Sequence, residues 1–194
     1  GIVKFENCIA HHNGTLTDGA TSGGGDKNGF KLGSSAHNIN HELRRCIAFS
    51  NGKHGFTDNG NVGNIKFYNL TSYDNGDYNF HTRDGASHTF RNCISFDGNH
   101  TDRIVGDAPG SCNALTETDM DFDYTASSSD FQTMTPGSNS APTSNGFLNL
   151  KSSSPLIDAG CSASGVSGNG TLDLGAIEYG GTPPPPPPGT YNLT

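Results

Sequence analysis

The feature that most constrains this chain is a repeat of about 24 residues. Four segments align: Phe5-Glu6-Asn7-Cys8-Ile9, Leu43-Arg44-Arg45-Cys46-Ile47, Phe67-Tyr68-Asn69-Leu70-Thr71 and Phe90-Arg91-Asn92-Cys93-Ile94. A second set follows them, Gly29-Phe30-Lys31, Gly55-Phe56-Thr57, Asn79-Phe80-His81 and Arg103-Ile104-Val105, with Asn-Gly or Asp-Gly turn pairs between the two sets. The first interval is longer because a Gly-rich stretch from Thr15 to Lys27 is inserted there. Self-similarity at this period, carried by short runs that alternate apolar and polar residues, predicts a parallel β-helix of about four recognisable coils. A leucine-rich repeat has a similar period, but its leucine comb is missing.

Alternation then sorts the side chains. Phe30, Phe56, Phe80 and Ile104 are expected to point inward, as are Cys8, Cys46, Leu70 and Cys93, which read as buried small hydrophobes. The neighbours of the phenylalanines must face out. Coils stack about 4.8 Å apart, so outward residues form ladders along the axis. One ladder is Lys31, Thr57, His81, Val105; the next is Gly33, Asn59, Arg83. Lys31, Asn59, Asn61, His81 and Arg83 are therefore candidates for one shared concave face. Gly33 reads as a position that lets a ligand approach the backbone.

Composition fits short strands joined by turns. Only 31% of the 194 residues are hydrophobic and 15% are charged, with 27 glycines; a disordered chain would carry more charge. The net charge of −8 disfavours nucleic acid and membrane surfaces as partners, since both need a basic field. An acidic substrate would have to be met by local cations or a bridging metal ion. No apolar run is long enough for a transmembrane helix. The chain starts at Gly1 without Met or signal peptide and enters a strand pattern at once, which reads as a piece of a longer protein. Five cysteines without a CxxC pair signal neither a zinc site nor a full disulfide framework.

Past Gly106 the period fades into an irregular C-terminal cap, so that residues 1–181 form one partial β-helix domain with its N-terminal coils missing. Residues 182–189 read as a polyproline linker, and 190–194 as the start of a further module or a tail.

The stretch Asp26-Lys27-Asn28-Gly29-Phe30-Lys31-Leu32-Gly33, then His41, Cys46-Ile47-Ala48-Phe49-Ser50-Asn51 and Gly55-Phe56-Thr57-Asp58-Asn59, resembles the family 9 polysaccharide lyases, which are pectate lyases. Pro155-Leu156-Ile157-Asp158-Ala159-Gly160 and Asp173-Leu174-Gly175-Ala176 resemble the end of those enzymes. The resemblance implies a secreted, all-β, right-handed parallel β-helix that cleaves acidic plant cell-wall polysaccharide (polygalacturonate) by β-elimination. Lys31 matches the family's Brønsted base, and Ca²⁺ would neutralise the uronate. The family's calcium ligands form an aspartate cluster on the coil before the lysine. No Asp-Asp pair occurs here, so those ligands are expected upstream of Gly1, with Asp26 as a weak candidate. A monomer tethered through the Pro-rich linker is expected. The alternatives are a non-catalytic β-helix that binds carbohydrate or mediates adhesion, and a uronate epimerase.

Overall fold

The computed structural model describes residues 1–180 except 17, 22–23, 84–86, 139–141 and 169; the polyproline run and the last residues lie outside the described set. The chain winds into stacked coils with three short strands each. The first strands are β1 (Lys4–Glu6), β4 (Glu42–Arg44), β7 (Lys66–Tyr68) and β10 (His88–Arg91), with β12 (Gly106–Asp107) closing the sheet. The second are β2 (Ile9–His11), β5 (Ile47–Phe49), β8 (Thr71–Tyr73) and β11 (Ile94–Phe96). The third are β3 (Phe30–Lys31), β6 (Phe56–Thr57) and β9 (Phe80–His81). All pairings between these strands are parallel, and the expected registers Phe30↔Phe56↔Phe80 and Ile9↔Ile47↔Thr71↔Ile94 are present.

Left-handed residues make the corners. Asn7, Arg45, Asn69 and Asn92 have φ between 50° and 60° where the first strand turns into the second. His12, Ser50, Asp74 and Asp97 repeat this after the second strand. Asparagine tolerates that conformation best among non-glycine residues, which accounts for its frequency. Asparagine also braces the turns: Asn13 donates to Asn51 (2.9 Å) and Asn51 to Asn75 (2.9 Å), an amide ladder across successive coils, and Asn75 donates to Asn79 (2.8 Å) within its own coil.

The coil interior is a stack. Phe30 lies on Phe56 (4.8 Å) and Phe56 on Phe80 (5.1 Å), Phe67 lies on Phe90 (4.6 Å), and Cys46 and Cys93 are buried beside them. Leu115 is buried at the C-terminal end of this core, with Ala108, Met120 and Phe122 packed against it, as expected of a cap.

The rest of the C-terminal segment is not an end cap. It runs along the outside of the second sheet. Strands β5, β8 and β11 are buried on both faces. Their small residues, Ala48, Ser72 and Ser95, occupy the central positions, while Ile47, Phe49, Tyr73, Ile94 and Phe96 form an outer core with Phe131, Phe147, Leu150, Leu156, Leu174 and Ile177. Phe147 meets Phe49 edge-on at 5.0 Å, and Phe131 stacks on Phe96 at 5.0 Å. Backbone groups are matched too: Asn69 Nδ2 donates to Asp173 O (3.1 Å), and Gly175 N donates to Asn92 O (2.8 Å). A disulfide joins Cys112 to Cys161 with Cα atoms 5.6 Å apart, a link that cysteine counting alone does not reveal.

Candidate functional site: the outer wall of the third sheet

Lys31 ends the two-residue strand β3, directly after Phe30, whose ring is held in the interior stack. Alternation therefore places the lysine outward, and its side chain is 45% exposed. Thr57 and His81 stand opposite it on the next two coils, as expected. The next rung differs. His81 pairs with Arg103, through Arg103 N to Phe80 O (3.0 Å) and Thr82 N to Arg103 O (2.8 Å). The fourth coil is thus two residues shorter than the repeat predicts, and Arg103, not Val105, completes the ladder. Asp102 takes the inward place expected of Ile104. Its carboxylate accepts from Phe80 N (2.8 Å) and Thr116 N (3.0 Å), which fixes the slip. Ile104 still faces the core, one inward position further on.

The other candidates divide. His81 is half-buried and Arg83 exposed on the same face. Asp58 accepts from Arg83 N (2.7 Å), Gly60 N (2.9 Å) and His88 Nε2 (3.1 Å). His88 Nδ1 accepts from Ile65 N (3.1 Å), so the imidazole carries its proton on Nε2. Burial pushes the Asp58 carboxyl up, but these donors overcome it and leave it below the usual carboxylate range. Asn59 is half-buried and spends its amide on Gly33 O.

Asn61 does not lie on the wall. It is fully buried, donates to Leu32 O (3.0 Å) and Ile39 O (2.8 Å), and accepts from Ile39 N and Gly63 N (both 2.9 Å). The chain turns at Asn59 and Gly60, both at positive φ, so strict alternation ends there. Asn61 fills the space that the missing side chain of Gly33 leaves. A Cβ at Gly33 would lie 2.7 Å from that of Asn61, and φ there is 140°. Gly33 thus admits an asparagine brace, not a ligand.

Residues 1–92 match the family model described as a Pel9A-like, right handed beta helix region. The coils of this stretch are similar to the Pel9A-like right-handed β-helix. The crystal structure of pectate lyase Pel9A superposes with a TM-score of 0.76 at 32% identity, over 92% of this chain and 45% of that one. Pectate lyase L of Paenibacillus polymyxa is 38% identical over 167 residues, which is 82% of this chain and 37% of the relative. Pectate lyase L of Dickeya chrysanthemi is 35% identical over 187 residues, 91% of this chain and 42% of the relative. The chain therefore spans less than half the length of the relatives it matches.

Calcium takes six to eight oxygen ligands, several of them carboxylates. The residues of this Pel9A-like wall do not fit that demand. Asp26 is the one acid beside Lys31 that the sequence suggested, and it forms an ion pair with the lysine ammonium. That hydrogen bond and charge hold the Asp26 carboxyl below its ordinary pKa. Among the described residues no group of three or more His, Cys, Asp or Glu side chains converges as a metal site would.

The sequence reading missed a set of rings beside the wall. His54 and His81 stack in parallel at 4.4 Å, and Tyr78 lies 4.9 Å from His81 and 5.2 Å from His100. Asp77 reaches His100 Nδ1 (2.9 Å) and His54 Nδ1 (3.5 Å). Burial, with the charge of Arg103 next, lowers the pKa of His81; burial, with His81 next, lowers that of His54 to about 4. A signal for this set exists, since His54 and Tyr78 precede their wall residues Thr57 and His81 by three, and His100 precedes Arg103 by three.

Proposed function

We propose that the chain is the base-bearing part of a secreted pectate lyase acting on polygalacturonate. The observation that carries this is the Pel9A superposition across 92% of the chain together with Lys31 standing outward and accessible on the third sheet. In this reading the neutral Lys31 amine takes the proton α to a uronate carboxylate. The electron pair of that C–H bond forms a carbon–carbon double bond as the C–O bond at the β carbon breaks, and the departing oxygen stays on the other sugar fragment and takes up a proton from solvent. Lys31 must first part from Asp26, because an ammonium locked in an ion pair cannot act as a base.

Ca²⁺, which the resemblance implies as the partner that neutralises the uronate, finds no oxygen cage among the described residues, and no step is drawn through it. The resemblance would place those ligands on the coil that precedes the lysine. His81 and Arg83 would hold the sugar chain along the wall; Asn59 supports Gly33, and Asn61 is structural. Export to an oxidising compartment is supported by the Cys112–Cys161 disulfide, and no helix among the described residues is long and apolar enough to cross a membrane. The linker at 182–189 would tether the monomer to another module.

The test is the release of ultraviolet-absorbing unsaturated uronides from polygalacturonate by the full-length protein. Lys31→Ala is expected to abolish that release while leaving the unfolding midpoint unchanged; activity surviving in that variant would remove Lys31 from the role. A second reading, a β-helix that binds carbohydrate without turnover, is favoured by the Lys31–Asp26 ion pair. It predicts retained polygalacturonate binding with no product at any calcium concentration.

A further inference from the structure

Stacking brings two thiols together at the corner between the first and second sheets. Glu6 pairs with Arg44 before the corner and Ile9 with Ile47 after it, so Cys8 lies opposite Cys46 on the adjoining coil. Coils repeat at about 4.8 Å, which sets the separation of the two Cα atoms. That falls inside the range a disulfide spans, about 4.4–6.8 Å. The side chains share an orientation as well. Cys8 Sγ donates to Glu6 O (3.4 Å) and Cys46 Sγ to Arg44 O (3.3 Å), so each thiol turns back toward the strand before it. Cys93 belongs to the same column but lies two coils from Cys46, about 9.6 Å away, with Leu70 filling the coil between.

Their surroundings give the two thiols different parts. Cys8 is half-buried and Cys46 fully buried. The hydrogen bond with Cys46 holds the Cys8 thiol below the ordinary thiol range, while the same contact and burial push Cys46 up. Cys8 is therefore the readier nucleophile, because the thiolate is the reactive form, and Cys46 is the partner waiting in the core. Both are thiols in the structure, whereas Cys112 and Cys161 are joined.

We propose that Cys8 and Cys46 are a modification site, closed to a further disulfide by exchange with a small disulfide such as oxidised glutathione. The Cys8 thiolate attacks one sulfur of that molecule, its S–S bond breaks, and one glutathione leaves as a thiolate that takes up a proton. Cys46 gives its proton to solvent and attacks Cys8 Sγ in the mixed disulfide, and the second glutathione leaves in the same way. The protein loses two hydrogens with their two electrons, and the small disulfide is reduced to two thiols. Closure gives up two weak S–H···O contacts, while Arg44 O keeps its bond from Asn7 N (3.1 Å). The result is a coil turned into a ring. The bond closes one complete turn of the helix, the one lengthened by the Gly-rich stretch and carrying Lys31. In the chain-entropy account a longer loop gains more from closure, so this turn is where a link between neighbouring coils restrains the unfolded chain most. The inference holds whether or not the wall is catalytic.

The experiment is disulfide mapping of the full-length protein, exposed in its folded state to oxidised glutathione, then alkylated in urea and digested with trypsin without reduction. Peptides 5–27 and 46–53, which carry Cys8 and Cys46, are expected to run as one cross-linked species that separates on reduction. Cys46→Ala is expected to leave glutathione on Cys8 as a stable mixed disulfide. Should that variant fail to fold, the mapping of the parent decides alone. The urea midpoint is expected to differ between oxidised and reduced parent by more than it does in Cys8→Ser, where the Cys112–Cys161 link remains. Separate alkylated peptides after oxidation, a glutathione adduct that persists on Cys8 of the parent, or Cys46 linked to another cysteine would each overturn the pair. A cross-link with equal midpoint differences in parent and Cys8→Ser would overturn the ring's hold on the first coil.

Discussion

His54 is buried among His81, Tyr78 and the coil below, and its imidazolium is disfavoured there. The unfolded chain takes up a proton on this ring near pH 6.5, whereas the folded chain resists until about pH 4. Between those values the unfolded state binds more protons, so the histidine's contribution makes stability fall as pH drops from about 6.5 to 4, and level off above. Urea unfolding at a series of pH values, with His54→Gln as the reference, should show a flatter slope in the variant across that window. An identical slope would mean that the ring titrates normally. Residues of this kind mark the limit of what pattern reading supplies. Lys31 is legible because a phenylalanine precedes it in a repeat. Asn61 is misplaced because alternation is a property of strands, and the chain leaves the strand at Asn59. Arg103 is missed because a two-residue deletion preserves the inside–outside parity, so nothing in the hydrophobic pattern betrays it.

Among the elements, the second sheet shows how a strand buried on both faces differs from a half-exposed one. Its strands read Ile-Ala-Phe, Thr-Ser-Tyr and Ile-Ser-Phe, with the small residue aimed into the crowded coil interior and the two large ones aimed out. That order is itself a statement that something covers the outer face, since an uncovered row of Ile47, Phe49, Tyr73, Ile94 and Phe96 would be an aggregation-prone patch. The repeat places the coils and the first three rungs of their ladders, but residues beyond Gly106 read as an end cap, because their partners are distant in sequence and carry no period. Phe147 is the test of the covering. It is fully buried between Phe49 and Tyr73, so Phe147→Ala is expected to cost about 3–5 kcal/mol, measured by urea unfolding. A loss below about 1 kcal/mol would show that the segment is loosely laid on the sheet.

At the scale of the molecule, stacked coils alone would behave as a nearly one-dimensional array in which each unit answers only to its neighbours. The outer segment changes this. It touches the second coil through Phe49 and the fourth through Phe96 and Asn92, and the disulfide ties it to the end of the last coil over a separation of 49 residues. Replacing Cys112 and Cys161 together by serine is expected to remove about 2–4 kcal/mol of stability, read from urea midpoints of oxidised parent and double variant. A parent whose midpoint is insensitive to reductant would contradict it. The same arrangement sets a clock on biosynthesis. Coils are made first and their cover last: about eighty residues separate Phe96 from Ile177, which at 5–20 residues per second is roughly 4–16 s. For that interval the nascent chain shows the ribosome's surroundings a finished inner stack and a bare greasy flank, so its period of greatest need for a chaperone comes after most of its coils have formed.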